Sequence, residues 1–231
     1  EGAKSLERPM KGRGVLLGGV PGVARANVLV LGGGVVGTNA ARVAAGLGAN
    51  VTLMDVDLDR LRYLAEVMPA NVTTIYSDPH AIPAALPHAD LVIGAVLIPG
   101  ARTPRLMSQA DVACMPKGAV IVDVAVDQGG CVETTRPTTH SNPTFVVNDV
   151  VHYGVTNIPG AVGRTSTYAL CNATLPYARR IAAHGYLDAA RRDKGVAMGV
   201  NMAGGQVANT NVAASLDLPH RPLKLQELTE S

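Results

Sequence analysis

A run of β-prone residues, Asn27-Val28-Leu29-Val30-Leu31, passes directly into Gly32-Gly33-Gly34-Val35-Val36-Gly37, and a helical stripe follows at Ala40, Val43, Ala44 and Leu47. A buried strand feeding a G-x-G-x-x-G turn that opens a helix is the context a dinucleotide-binding fingerprint requires. Gly32 permits the tight turn, Gly34 lets a pyrophosphate approach the backbone, and Gly37 lets helix and strand pack closely. The helix start then offers free N–H groups and the positive end of its dipole to the phosphates. The alternative is a purely structural strand–helix turn.

The pattern continues along the chain. Strands are expected at Val51–Met54, Val72–Tyr76, Leu91–Val96, Ala119–Val124 and Thr144–Val147, with helices at Leu58–Val67 and near Ala81–Leu86. Strands alternating with helices imply a parallel sheet covered on both faces. Before the first strand, a short polar helical start (Lys4 to Glu7) leads into the Gly/Pro-rich Gly18-Gly19-Val20-Pro21-Gly22, which reads as a linker or turn. From Thr165 the character changes. A long helix to His184, interrupted by Pro176, precedes less regular polar helices. The expected fold is α/β: a Rossmann-type doubly wound parallel sheet with a C-terminal helical segment.

Asp55 stands at the end of the second strand, 18 residues beyond Gly37. A carboxylate there can accept hydrogen bonds from both adenine-ribose hydroxyls and repels a 2′-phosphate, which favours NAD over NADP. Arg60 and Arg62 follow on the next helix, where solvated charge is their ordinary role. Asp127, just before Gly129-Gly130, follows the carboxyl end of a parallel strand, where open α/β sheets place their ligand crevice. It could orient a ribose hydroxyl, polarise an amine or relay a proton; the alternative is a turn aspartate capping its loop.

Composition closes off other classes. Aromatics are 3%, with no Trp and one Phe, which argues against base-stacking platforms and sugar clefts. A net charge of +2 is too small for a nucleic-acid surface. No apolar run approaches the roughly 20 residues a membrane span needs. Cys114, Cys131 and Cys171 lie far apart without metal or disulfide spacing, which suits a reducing, cytoplasmic compartment. The six histidines lack zinc-site spacing.

The segments Arg13–Gly22, the glycine motif, Ala89–Gly100, Asp123–Glu133, Arg136-Pro137-Thr138-Thr139 and Thr165–Leu170 together resemble alanine dehydrogenases over essentially the whole chain. The related nicotinamide nucleotide transhydrogenases are similar around Gly94–Gly100 but less so after the strand ending near Val124. The resemblance implies cofactor contacts at Gly32, Gly34, Val35, Val36 and Gly37, with Asp55 on the adenine ribose, Arg60 along the adenosine edge and Ser77 on the adenine side. It implies that Val96 and Leu97 line the cleft, and that Val124, Ala125, Val126, Asp127, Val155, Thr156, Asn157 and Ile158 surround the nicotinamide and its ribose, with Arg136 close by. Asp127 would be the catalytic carboxylate. Ile158 replaces a Met of the family motif and conserves its bulk.

In that family a substrate lobe precedes the nucleotide domain and is completed by C-terminal helices. The chain begins at Glu1, with its first Met at Met10, and is read as a fragment, a processed chain or one lacking an upstream part. The expected domains are 1–164, binding NAD, and 165–231, the helical part of a substrate domain whose N-terminal half is absent. The expected function is NAD-dependent oxidative deamination of L-alanine to pyruvate and ammonia, with the chain as given inactive alone. A homo-oligomer is expected, a hexamer by resemblance, and an apolar helical face at Leu175, Ala178, Ile181 and Ala182 would be left uncovered. The rivals are the NAD(H)-binding component of a transhydrogenase and a non-catalytic NAD-binding module.

Overall fold

Alternation along β1 (Asn27–Leu31) sends Val28 and Val30 to one face of a sheet and Leu29 and Leu31 to the other, and all four are buried. A strand buried on both faces needs cover on both sides, which sets the layer arrangement. The computed structural model describes residues 1–98 and 102–220. Pro99 and Gly100, named in the resemblance above, and residues 221–231 of the expected C-terminal part lie outside the described residues.

The segment before β1 is more than a linker. Helix α1 (Gly2–Ser5) and the turn after it carry Leu6 into the core, and Leu17 follows it there. The Arg13 guanidinium donates to Asp90 at 2.6 Å, and the same carboxylate accepts from the Asn27 N–H at 2.8 Å. The glycines and proline that read as a turn thus belong to a strap tied to the first strand.

Helix α2 (Val35–Gly46) is where expectation and structure differ in register. Its buried face is Gly37, Thr38, Ala41, Ala44 and Ala45, while Val43 and Leu47 are exposed. The cause is close packing: a Cβ on Gly37 would lie 1.8 Å from the Gly32 carbonyl oxygen. The helix therefore turns its smallest residues to the strand, and the larger ones at Val43 and Leu47 face outward.

Next come β2 (Asn50–Asp55), α3 (Leu58–Val67), β3 (Val72–Tyr76), α4 (Ala81–Ala85), β4 (Leu91–Gly94), α5 (Gln109–Ala113) and β5 (Val120–Asp123). Asp57 caps α3, accepting from the Asp59 and Arg60 N–H groups. Then β6 (Thr144–Val147) and β7 (Val150–Tyr153) complete a seven-stranded sheet ordered β3-β2-β1-β4-β5-β7-β6. It is an α/β, Rossmann-like fold.

Here the expected parallel series is corrected. The strand at 144–147 is an antiparallel edge paired with β7, and β7, not β6, lies parallel to β5. Asn148 and Asp149 both take positive φ, as a tight two-residue hairpin turn demands. The short Val150-Val151-His152-Tyr153 run beyond the turn gave no separate signal, yet all four of its residues are buried.

His152, 0% exposed, stacks on Phe145 with ring centroids 5.1 Å apart. Its Nδ1 faces the Val150 carbonyl at 3.0 Å and so carries the proton; Nε2 accepts from the Thr134 hydroxyl at 2.7 Å. Burial lowers its pKa, because the charged imidazolium is poorly solvated there. The unfolded chain then takes up the proton first, so stability is present above about pH 6.5 and is lost as pH falls from there towards the folded value. Denaturant midpoints on either side of about pH 6 should show this loss, and His152→Gln should flatten it. Buried Asp123, whose pKa burial raises, acts with the opposite sign, so the difference between wild type and variant isolates the histidine.

A second compact unit comprises Ile98–Arg102 with Pro159–Ser231. Its described part is helical: α6 (Gly163–Arg192), α7 (Lys194–Gly199), a small hairpin of β8 (Met202–Ala203) and β9 (Gln206–Val207), and α8 (Thr210–Leu216). The helix runs through Pro176; its non-helical residue is Gly185, at φ 71°. Helix α7 packs back on α6, with Ala189, Ala190 and Val196 in a small cluster and Arg180 paired with Asp193 at 3.0 Å. Leu175 and Ile181 are exposed. Among the described residues no helix is long and apolar enough to cross a membrane, and no metal-ligating cluster occurs.

Candidate functional site

Four adjacent parallel strands, β1, β4, β5 and β7, end on the same edge of the sheet, and every candidate residue lies at or just past the carboxyl end of one of them or of neighbouring β2 and β3, on α3, or, for Arg136, in the segment running from the β5 loop towards β6. The first connection from β1 goes to β2 on one side, and β4 lies on its other side. That reversal is where an open α/β sheet opens a crevice.

The glycine loop at the end of β1 is built for close approach. Gly32 takes φ +101°, and a Cβ there would lie 2.8 Å from the Ala95 carbonyl oxygen and 3.1 Å from Val96 Cγ2. Gly34 is the N-cap of α2, no side chain caps that helix, and a Cβ on Gly34 would meet nothing within 4 Å. Val35, at 79% exposure, and Val36 follow on the open first turn. A helix start with uncapped N–H groups and a bare glycine facing open space fits a pyrophosphate. The backbone itself supplies this cradle.

Asp55 and Arg60 hold the loop from behind. The Gly33 N–H donates to Asp55 Oδ2 at 2.5 Å, and the Asp57 N–H donates to Oδ1 at 2.9 Å. Each carboxylate oxygen keeps a second acceptor site, so ribose hydroxyls can still be bound. Arg60 Nε donates to the Gly33 carbonyl at 2.7 Å and Nη2 to the Thr38 hydroxyl at 2.9 Å. Its guanidinium braces the glycine loop, while Arg62 is paired with Asp59. Thr38, which also donates to Gly33 O at 3.0 Å, was not foreseen as part of this brace. Ser77, past β3, donates its N–H to the Asp55 carbonyl at 2.9 Å.

Past β4, Val96 is half-buried and Leu97 exposed. Past β5, Val124 donates its N–H to the Gly94 carbonyl at 2.9 Å; Ala125 and Val126 are buried, and Asp127 is exposed on a 3-10 turn, Val126–Gln128. Past β7, Val155 is buried and Ile158 packs on the core, while Thr156 and Asn157 are exposed. The Asn157 carbonyl accepts from His140 Nε2 at 2.7 Å. Arg136 lies with its guanidinium 4.3 Å from the centre of the Phe145 ring, a cation–π contact on the edge strand.

Asp123 is the residue that sequence patterning passed over. It ends β5 with 0% exposure and accepts from the Ala125, Cys131 and Val132 N–H groups at 3.1, 3.0 and 3.4 Å. Burial raises its pKa against the pull of those donors. Burial, then the neighbouring Asp123 charge, pushes the Cys131 thiol far above its ordinary range. The signal was legible in principle: an acid closing an otherwise apolar buried strand must find donors nearby.

A family model described as the alanine dehydrogenase/PNT C-terminal domain matches residues 1–210. An alanine dehydrogenase of Methanococcus maripaludis is 53% identical over 222 residues, covering 96% of this chain and 60% of that protein. One of Mycobacterium tuberculosis is 49% identical over 218 residues, covering 94% of this chain and 59% of the relative. A solved L-alanine dehydrogenase superposes with a TM-score of 0.83 at 51% identity, over 94% of this chain and 60% of that one. A transhydrogenase from Sinorhizobium meliloti is more distant, at a TM-score of 0.54 and 29% identity over 61% of this chain and 40% of its own. The chain thus spans about 60% of the length of these alanine dehydrogenases.

Proposed function

The chain belongs to the alanine dehydrogenase/PNT C-terminal domain family, and on that premise we propose that it forms the cofactor-binding body of an enzyme that oxidatively deaminates L-alanine to pyruvate and ammonia with NAD. The observation that carries this reading is the convergence of an uncapped glycine-loop helix start, the Asp55 carboxylate at the end of β2 and an exposed carboxylate at Asp127 on one edge of one sheet.

Bound NAD supplies the acceptor for the alanine Cα hydride. The chain's own part is binding, orientation and charge. Gly32, Gly34, Val35, Val36 and Gly37 receive the pyrophosphate, Asp55 with Ser77 and Arg60 frames the adenosine, and Val96 and Leu97 wall the cleft. Val124 to Asp127, Arg136 and Val155 to Ile158 frame the nicotinamide end. Asp127 stabilises positive charge at the substrate nitrogen or moves a proton there. Residues 1–164 act as the NAD-binding domain and 165–231 as part of a substrate domain, helical over its described residues. Family membership supports a homo-oligomer, a hexamer; widely spaced cysteines support a cytoplasmic location.

The test is NADH formation on addition of L-alanine, followed with pyruvate and ammonia release, using the longest natural form of the protein. Equimolar NADH and pyruvate are the expected result. Hydride exchange between NADPH and NAD without any need for alanine would overturn it in favour of a transhydrogenase component.

A further inference from the structure

The loop that carries Asp127 begins and ends on one buried carboxylate. Oδ1 of Asp123 accepts from the Ala125 N–H at 3.1 Å, and the Cys131 thiol lies 3.6 Å from the same oxygen. Oδ2 accepts from the Cys131 and Val132 N–H groups at 3.0 and 3.4 Å. Among the described residues, every hydrogen-bond partner of this side chain lies between Ala125 and Val132. Between those anchors the Gln128 and Gly130 N–H groups both donate to the Ala125 carbonyl at 2.9 Å, and the Gln128 carbonyl accepts from the Thr103 N–H at 3.0 Å. Asp127 sits exposed at the crest.

The packing leaves this ring no slack. A Cβ on Gly94 would fall 2.3 Å from Cys131 Sγ, and one on Gly130, at φ +74°, would fall 2.7 Å from Asp123 Oδ2. An apolar residue at the end of β5 would bury well but would leave the loop's N–H groups without an acceptor, and a buried orphan donor is costly. An anion in this dry position is costly too, and only the loop repays it. The carboxylate is placed for the loop's shape, not for the strand's stability.

We propose that Asp123 is a positioning residue: it closes the loop 124–132 and thereby fixes where Asp127 and the nicotinamide-facing backbone stand. This rests on the cofactor reading above. Asn at this site keeps the volume but turns an NH₂ group towards backbone donors, so Asp123→Asn should open the ring.

The experiment compares the wild-type chain with Asp123→Asn by thiol titration and by calorimetry with NAD and with ADP-ribose, which lacks the nicotinamide. Exposed Cys114 and Cys171 should react in both proteins, and buried Cys131 only in the variant. NAD affinity should fall about tenfold, as for loss of a hydrogen-bonded contact to a charged group, while ADP-ribose affinity stays within about twofold. Gly130→Ala, which pushes on the same contact from the loop side, should give the same pattern if Asp123→Asn folds poorly. In turnover, Asp123→Asn should cost little more in the Asp127→Asn background, since both act through one group. An unreactive Cys131 with unchanged NAD affinity would overturn the proposal, and so would equal weakening of both ligands, which would mean that Asp123 supports the whole domain. A wild-type chain that binds neither ligand overturns the underlying cofactor reading instead, and is told apart because failure of the proposal shows only in the variants.

Discussion

Asp127→Asn is expected to lower alanine turnover by about 10²–10⁴-fold, the usual loss when a charge-stabilising or proton-transferring group is neutralised. Asn preserves size and one acceptor, and residue 127 is exposed on its turn, so folding should be little affected. NAD affinity should change by less than about tenfold, because the Asn side-chain oxygen can still accept a hydrogen bond. Steady-state kinetics of the longest natural form of the protein with L-alanine and NAD separate the two quantities. A variant that turns over at the wild-type rate would make Asp127 a loop residue without chemical duty.

NAD should bind more tightly than NADP by roughly ten- to a hundredfold, the range of a hydrogen bond to a charged group won or lost at the 2′ position. The structure sharpens this. Asp55 holds the Gly33 N–H, and Arg60 donates to the Gly33 carbonyl and the Thr38 hydroxyl. Asp55→Ala should therefore narrow the gap mainly by weakening NAD, since it also frees the glycine loop. Calorimetric titration of both cofactors against both proteins measures this. NADP binding as tight as NAD would show that the arginines govern the pocket.

The first βα unit was legible because Gly32 and Gly37 answer separate steric demands at a fixed spacing, and the strand–helix frame around them obeyed simple periodicity. The α2 face was misread for a related reason: periodicity ranks residues by hydrophobicity, whereas the close approach of Gly37 to Gly32 sets which face turns inward, and that face carries the small Ala41 and Ala44. Strand β7 was missed because a four-residue run beyond Asn148-Asp149 carries too little pattern, although positive φ at both turn residues is what forces the hairpin. Asp127 stood out in the sequence through its setting beside two glycines. Asp123 was passed over because its role depends on three N–H groups that only the folded loop brings together. Thr134 and His152, 18 residues apart in sequence, likewise meet only in the sheet.

The central claim is that one edge of the sheet binds NAD from the glycine loop across to the β7 loop. Amide NMR shifts of the chain during titration with NAD test it most directly. Saturable shifts are expected at Gly32–Gly37, Asp55, Val124–Asp127 and Val155–Ile158, with the amino-edge cleft lined by Asn27, Asn50, Asn71 and His88 unmoved. Shifts confined to that opposite edge, or none at saturating NAD, would contradict it.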